Sequence, residues 1–364
     1  MISTLYNRTN GKPRRKKRLS GKHSYKFHAV LFLFVGLMSL GPFSAVYGQE
    51  TSQPGSIQSY LESGEFEWLA MIQFHAYATP YQNATFASNQ FRVAQSRLGL
   101  KGTFADGYGF QLQYNASANP GFQGINIYKT FWQNKAELRV GNMKMLPNLD
   151  FFPTPDEDDF IGRNIGSNYF LGGPDIGIRG RVSHGPMKLW LGIYNGEGRS
   201  TNQDEKFLGV GRFQVEAKRW GVDMKVGTFV QAGYSDQVRI GLKRMFLVDG
   251  YRESIGVDTR LESKKWFLAA EGIRSQLDLV VDKGVEFTSG FVTLGYTPSE
   301  INTFAVRWQR MNRTSSTTLK HDATIGYKRA LNDVIAVQVN VIGYMNADYQ
   351  FEESELRLNV QLAF

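Results

Sequence analysis

The sequence predicts an all-β fold, a transmembrane antiparallel up-and-down β-barrel of about 16 strands. Three observations predict it. Apolar and polar residues alternate along most of the chain after Phe66, tight turns alternate with longer connections, and the chain has no cysteine although it begins like an exported protein. A large exported protein without disulfides needs another source of rigidity, and the backbone hydrogen bonds of a closed sheet provide one.

Residues 1–48 have the pattern of a cleaved secretory signal peptide. Nine basic residues and no acidic ones come first, and an apolar run of 13 residues follows at 29–41. A spanning helix needs about 20 apolar residues, so a membrane anchor, the alternative, fits less well. We expect cleavage after Gly48. A polar lead-in at residues 49–65 then precedes the barrel, which takes up residues 66–364.

The net charge of +9 comes from this leader. Nine of the 42 basic residues lie in it, which leaves 33 basic residues against 33 acidic ones in the rest of the chain. A broad basic surface is therefore not expected, and we predict no nucleic-acid partner.

Strands are predicted where aromatic and β-branched residues alternate with polar ones between turn-forming residues. In chain order the predicted strands are 66–79, 91–105, 108–118, 124–133, 136–144, 174–184, 186–196, 208–219, 221–231, 252–263, 265–276, 285–297, 301–312, 318–331, 334–345 and 353–364. Most of them reach the roughly 9–11 residues that a transmembrane strand needs.

The connections predict the topology. Tight turns join strands 2–3, 4–5, 6–7, 8–9, 10–11, 12–13 and 14–15, with the sequences ADGYG, QNK, HGP, KRWG, ESKK, TPSE and LND. The intervening connections are mostly longer, among them 80–90, 144–173, 195–207, 232–251 and 277–284. All tight turns should therefore lie on one rim together with both chain ends, and the long loops should lie on the other rim.

The two faces of each strand follow from parity. In strand 6, Ile176 and Ile178 lie on one face, and Arg179 and Arg181 lie on the other. Because a barrel of about 16 strands is too wide for side chains to fill, the polar face should line an aqueous channel. The pore-lining candidates are Arg97, Lys101, Arg139, Arg179, Arg181 and Arg307. The blander alternative is that about half of the lumen arginines serve structural pairs with lumen acids.

The middle of the chain resembles the phosphate- and polyphosphate-selective porin family. The resemblance is carried by LRVGNMKMLPNLDFFPTPDEDDFIGRNI, then GGPDIGIRGRV and LGIYNGEG, with FRVAQSRLGLKGTF before them. It implies a sixteen-stranded outer-membrane barrel, commonly trimeric, with loops folded inward. Two departures stand out: Lys144 is separated from Pro147 by two residues, and Gly162-Arg163 replaces the usual Glu-Arg. The resemblance therefore does not imply phosphate selectivity for this chain.

The longest connection, residues 145–173, is predicted to fold into the lumen and narrow it. Its five acidic residues and one basic residue give it a net charge of −4. The candidates for the constriction are Asp150, Asp156, Glu157, Asp158, Asp159 and Arg163. One alternative is a solvated external loop, since runs of like charge often stay in water. Another is a calcium site, but the run lacks the spacing and turn glycine of a calcium loop, so no metal site is predicted.

These features predict an outer-membrane porin, a water-filled channel for passive diffusion of small polar solutes and ions, with a mild preference for anions such as phosphate. The alternative is a structural or adhesion barrel that transports little. No nucleophile motif of the G-x-S-x-G kind occurs, so an enzyme is not predicted, and neither is a cofactor. The expected partners are outer-membrane lipid, the barrel assembly machinery and two further copies in a homotrimer. The terminal Phe364 is the expected assembly signal.

Overall fold

The computed structural model describes residues 64–81, 89–104, 106–117, 121–198, 201–314 and 318–363. The predicted signal peptide, most of the lead-in and Phe364 lie outside these residues. Within the described part of the chain, no helix is long and apolar enough to cross a membrane.

The described chain forms sixteen strands, as predicted. They are β1 Glu65–Tyr81, β2 Gln90–Thr103, β3 Tyr108–Asn115, β4 Gly121–Phe131, β5 Ala136–Lys144, β6 Pro174–His184, β7 Met187–Tyr194, β8 Leu208–Arg219, β9 Val222–Ile240, β10 Phe246–Glu262, β11 Trp266–Leu279, β12 Val285–Ser299, β13 Asn302–Arg313, β14 Thr318–Ala330, β15 Ile335–Met345 and β16 Phe351–Ala363. A 3-10 turn at Leu149–Phe151 and a short helix, α1, at Ile165–Tyr169 lie between β5 and β6.

The strands form a closed barrel in which each one pairs with its neighbours in sequence. The seam joins β1 to β16 antiparallel, with Met71 opposite Ala363 and Phe74 opposite Val360. Closure leaves no strand edge unpaired, which is the requirement for a sheet that spans a bilayer. The prediction of a sixteen-stranded antiparallel barrel is therefore confirmed.

The alternating sequence gives the barrel an apolar outside and a polar inside. On β16, Leu356 is 41% exposed, whereas Asn359 on the opposite face is 1% exposed. Since the side chains of a strand alternate between its two faces, the register of a strand determines which of its residues face the lumen and which face outward. Four large tryptophans, Trp68, Trp132, Trp220 and Trp266, are exposed near the rim that carries the tight turns. Exposed tryptophans near the rim of a barrel are typical of the membrane interface.

The tight turns fit the twist of the hairpins that they close. Between β8 and β9, Trp220 and Gly221 both have positive φ, 52° and 75°. This is the type I′ geometry that two-residue hairpin loops favour. The opposite rim carries the longer connections.

One predicted loop is wrong. The region 232–251 is mostly strand, because β9 continues to Ile240 and β10 begins at Phe246, so that residues 241–245 form the connection. The extended hairpin buries Val238, Ile240 and Val248 against the segment that follows β5. This tertiary contact stabilises strand structure in a stretch whose Gly, Ser and Asp residues favour a loop locally.

Candidate functional site

The lumen loop, residues 145–173, crosses the inside of the barrel and is bonded to its walls. The backbone N–H of Ile165 donates to Oε1 of Gln309 on β13 at 3.0 Å. Gln231 on β9 donates to the carbonyl of Phe170 at 3.1 Å, and Gln338 on β15 donates to the carbonyl of Asp158 at 3.2 Å. The loop therefore has hydrogen bonds to widely separated strands.

An apolar cluster determines which side of the lumen the loop occupies. Helix α1 begins at a cap in which the side chain of Asn164 accepts from the N–H of Ser167 at 2.9 Å, which satisfies a donor at the helix start. Ile165, Tyr169 and Phe170 then pack on apolar side chains of β9 to β13. Phe170 is 1% exposed. Because the loop is held against β9–β13, open space remains beside the other strands.

That open space, here called the passage, has a volume of about 940 Å³. It lies between the lumen loop and the inner faces of β1–β6, β15 and β16. Lys243 in the β9–β10 connection borders it on the long-loop rim, and Asn332 in the β14–β15 turn borders it on the tight-turn rim. The passage therefore runs between the two rims of the barrel.

Among the described residues, seven basic and three acidic side chains line the passage, an excess of four positive charges. The basic ones are Arg92, Arg97, Arg139, Lys144, Arg163, Arg179 and Lys243, and the acidic ones are Asp156, Asp158 and Asp333. Amide side chains such as Gln95, Gln111 and Gln113 fill much of the remaining wall. Such a wall can attract anions and exchange hydrogen bonds with polar solutes.

Two of these cations, Arg139 and Arg179, lie next to the same carboxylate, Glu137. Glu137 accepts from Arg139 Nε at 3.0 Å and lies 3.4 Å from Arg179 Nη2. Arg179 also donates to the carbonyl of Lys144 at 2.9 Å, which fixes its position on the wall. One carboxylate between two guanidiniums leaves positive charge on this part of the wall.

A second cavity, here called the acidic chamber, lies between the lumen loop and β9–β13 and has a volume of about 530 Å³. Seven acidic and three basic side chains line it among the described residues. The acidic ones are Asp150, Glu157, Asp158, Asp159, Asp258, Glu262 and Glu271, and the basic ones are Lys225, Arg260 and Arg307. The lumen loop therefore separates a positive passage from a negative chamber.

Arg163 and Asp158 lie between the two cavities. Arg163 Nη1 is 3.7 Å from Asp150 and 3.8 Å from Asp158. Asp158 is only 13% exposed. Burial raises the pKa of Asp158 to about 7, against the opposing effect of Arg163 and with a further increase from Asp150. This carboxyl therefore titrates near neutral pH.

The structure divides the predicted residues between the cavities. Arg97, Arg139, Arg179, Asp156 and Arg163 line the passage, Asp158 lines both cavities, and Arg307, Asp150, Glu157 and Asp159 line the acidic chamber. Lys101 and Arg181 line neither cavity. They lie toward the tight turns, where Lys101 pairs with Glu67 at 3.0 Å and Arg181 donates to the carbonyl of Asn134 at 3.0 Å.

Sequence reasoning missed three cations of the passage: Arg92, Lys144 and Lys243. Lys144 is the last residue of β5, where the alternation of faces ends, and Lys243 lies within the predicted long loop 232–251. Arg92 faces inward because of a register shift in the pairing of β1 with β2, where Gln73 is opposite Gln95 and Phe74 is opposite Val93. A bulge of this kind reverses the parity on one side of it.

The acidic run of the loop contacts the barrel wall rather than lying free on the rim. Asp159 pairs with Arg260 on β10 at 2.7 Å, and the carbonyl of Asp156 accepts from Gln361 on β16 at 3.0 Å. The alternative of a solvated external loop does not fit these contacts. Across the part of the chain that the structure describes, no group of three or more Asp, Glu or His side chains is arranged to hold a metal ion.

Solved structures with a similar fold include a porin and an outer-membrane channel. The barrel is similar to an anion-selective porin from Comamonas acidovorans, with a TM-score of 0.61, 12% identity, and coverage of 83% of this chain and 100% of that one. It is similar to Salmonella typhi OmpF in complex with daunomycin, with a TM-score of 0.61, 12% identity, and coverage of 84% and 99%. The outer-membrane channel DcaP of Acinetobacter baumannii matches with a TM-score of 0.57 and 13% identity over 83% and 98%.

No curated protein matches the sequence significantly. The family model described as phosphate-selective porin O and P, however, matches residues 72–330, which is well over half of the chain. The match includes the lumen loop and β2–β6, which border the passage, and ends before β15 and β16. The chain therefore belongs to the family of phosphate-selective porins O and P.

Proposed function

We propose that the protein is an outer-membrane porin, a water-filled channel through which small polar solutes and ions diffuse passively, with a mild preference for anions. The observation that carries the proposal is the passage of about 940 Å³ that reaches both rims and is lined by seven basic and three acidic side chains. Fixed charges in a narrow channel with low-dielectric walls set its ion selectivity.

The preference should be mild because much of the positive charge is already shared. Arg139 and Arg179 contact Glu137, and Arg163 lies near Asp150 and Asp158. A solute anion then competes with protein carboxylates for the guanidiniums. This favours a general pore with an anion preference over a dedicated phosphate channel.

Planar-bilayer recording of the purified, full-length mature protein tests the proposal. Under a potassium chloride gradient, the reversal potential should show chloride permeating faster than potassium, and the conductance should rise with salt without early saturation. Current that saturates at low phosphate concentration would contradict the general pore. Absence of conductance from a heat-modifiable barrel would instead favour a structural or adhesion role.

We further propose that Asp156, Asp158 and Arg163 of the lumen loop form the constriction of the passage and that Arg97, Arg139 and Arg179 form the opposite wall, while Asp150, Glu157 and Asp159 of the same loop act in the acidic chamber. Lys101, Arg181 and Arg307 would act outside the passage. Swelling of proteoliposomes in sugars of increasing size measures the effective width. Shortening the lumen loop should raise the size limit if this assignment is right.

The remaining parts of the proposal concern location and assembly. We infer that the chain is exported by a cleaved leader, that lipid and the assembly machinery of the outer membrane receive it, and that it forms a homotrimer without catalytic activity. A trimer form is known for the structurally similar OmpT of Vibrio cholerae. N-terminal sequencing should begin at Gln49, and cross-linking in membranes should give a trimer.

A further inference from the structure

The acidic chamber contains a buried arginine, Arg307, that interacts electrostatically with Asp150, Asp159 and Asp322 but forms no ion pair with them among the described residues. Arg307 on β13 is 7% exposed, and its Nε is enclosed without a hydrogen-bond acceptor. Its guanidinium lies 4.4 Å from the centre of the Phe160 ring. No hydrogen bond or ion pair of this group is found among the described residues. The ring face and the more distant carboxylates compensate a buried guanidinium only in part, because it still lacks a directly bonded acceptor, so this site suits a negatively charged group from outside the protein.

An acceptor without a donor lies in the same chamber. Asp150 Oδ2 of the lumen loop is enclosed and receives no hydrogen bond, and its nearest cation is Arg163 at 3.7 Å. Asp150 is close enough to interact electrostatically with Arg307 and with Glu271. Glu271 on β11 is 7% exposed and accepts from the side chain of Asn148. Asp150 and Glu271 are therefore two of the acidic side chains that share the chamber with the arginine.

The strand register places Glu271 and Arg307 far enough apart for a small solute to fit between their side chains. Glu271 is opposite Phe291, which is opposite Gln309, and Arg307 is two residues from Gln309. With neighbouring strands about 4.8 Å apart and a rise of about 3.3 Å per residue, the Cα atoms of Glu271 and Arg307 are about 12 Å apart. The two side chains face the same chamber without forming an ion pair.

We propose that the acidic chamber binds a zwitterionic solute with adjacent ammonium and carboxylate groups, the class of the α-amino acids. The carboxylate pairs with Arg307, and the ammonium is held by Asp150 and Glu271. A simple anion would be disfavoured by the lining, in which acidic side chains outnumber basic ones by seven to three, and a simple cation would leave Arg307 unpaired. A zwitterion satisfies both groups and adds no net charge. The chamber of about 530 Å³ has room for such a molecule.

This inference goes beyond the proposed ion channel, because the chamber is a separate cavity from the passage. Saturation-transfer NMR on the full-length mature protein in detergent tests it with three matched solutes: L-alanine, propionate, which lacks the ammonium, and ethylamine, which lacks the carboxylate. L-Alanine should bind about tenfold more tightly than either, as expected from the loss of one charged hydrogen bond. Equal binding of propionate or of ethylamine would overturn the proposal.

Variants then locate the site. Arg307→Gln should abolish the alanine signal, and Glu271→Gln should weaken it. Arg219→Gln, which changes an arginine at the tight-turn rim outside the chamber, should leave it unchanged. Heat-modifiable migration shows that each variant has folded. Alanine binding that survives Arg307→Gln would overturn the proposal, and if that variant does not fold, the three-solute comparison on the unaltered protein still decides. Ion selectivity of the passage is measured separately, so failure of one proposal is distinguishable from failure of the other.

Discussion

At the scale of single residues, the wall of the passage keeps a positive charge because two arginines share one carboxylate. Glu137 is 3.0 Å from Arg139 and 3.4 Å from Arg179, so neither guanidinium is fully neutralised. The carbonyl of Lys144 and this carboxylate together keep Arg179 against the wall. A solute anion therefore meets a positive charge that is already positioned, and no side chain has to be ordered first.

Replacing Arg179 by Gln should weaken the preference for anions. The change removes one of seven cations from the passage and leaves Glu137 paired with Arg139. We expect the ratio of chloride to potassium permeability to fall roughly twofold, measured as a shift of the reversal potential in a salt gradient. Arg219→Gln is the control, and an equal shift in that variant would contradict a role for the passage.

The selectivity should depend on pH through Asp158. Its pKa is raised to about 7 by burial, so the carboxyl is mostly neutral at pH 6 and mostly charged at pH 8. Acidification removes a negative charge from the passage, and the anion preference should therefore rise as the pH falls. Reversal potentials measured from pH 8 to pH 6 test this. Asp158→Asn should weaken the dependence, and a variant that retains it in full would assign the titration to another group.

Residue positions were predictable where the alternation is unbroken. Arg97, Arg139 and Arg179 face inward as parity requires, and all three line the passage. Arg92 was not predicted because β2 has a bulge between Val93 and Gln95, which pair with Phe74 and Gln73 of β1. The bulge reverses the parity of β2 and turns the even-numbered Arg92 inward. Nothing in the local sequence marks this bulge, since it depends on how β2 fits β1.

At the scale of elements, the lumen loop is held by packing more than by its own secondary structure. Helix α1 has only five residues, too few to be stable alone. Phe170 stacks on Phe246 with ring centres 5.7 Å apart and contacts Phe287 at 5.4 Å. These aromatic contacts determine that the passage lies on the side of β1–β6 and not on the side of β9–β13.

Phe170→Ala should loosen the loop while the barrel remains closed. A buried Phe-to-Ala change typically costs about 3–5 kcal/mol, and here the loss falls on the attachment of the loop. Single-channel recordings should show noisier currents and a shifted conductance. Phe207→Ala, at a side chain that is 49% exposed, serves as the control. Steady currents identical to those of the unaltered protein would contradict the packing argument.

The β9–β10 hairpin shows why this element was harder to predict than the others. The part of the hairpin next to the β9–β10 connection contains Val238 and Val248, whose burial depends on contact with the lumen loop. The pairing of these strand ends therefore depends on lumen-loop residues that lie about 70 positions earlier in the chain. Local alternation alone predicts β9 only as far as residue 231. The tight-turn ends of the same strands, which need no such partner, were predicted within one or two residues.

At the scale of the whole molecule, strand number, rim assignment and family were all predictable, and each is confirmed by the closed barrel or the family match. The reason is physical: in a membrane-spanning sheet every strand must alternate and every edge must pair. The division of the lumen into a positive and a negative cavity was not predictable. It depends on where the 29 residues of the lumen loop pack inside a wall that the sequence describes only as polar.

Deleting Phe364 should lower the amount of assembled barrel and leave export intact. Ala363, its neighbour in sequence, pairs with Met71 at the seam that closes the sheet. The test is to compare heat-modifiable protein in membranes with total processed protein, using Leu331→Ala at an exposed turn as a control. Normal heat-modifiable protein from the truncated chain would contradict the role of Phe364 as an assembly signal.

The seam also has a consequence for the folding rate. Gln73 donates to Gln361 at 3.0 Å across 288 positions of sequence, a contact that raises the relative contact order of an otherwise local hairpin topology. The chain can form its neighbouring hairpins early, but closure must await the meeting of its two ends, and this step is entropically slow. Until then two strand edges are open to other chains. Mutations at the seam should therefore appear first as slower refolding and aggregation, before any change in conductance is measurable.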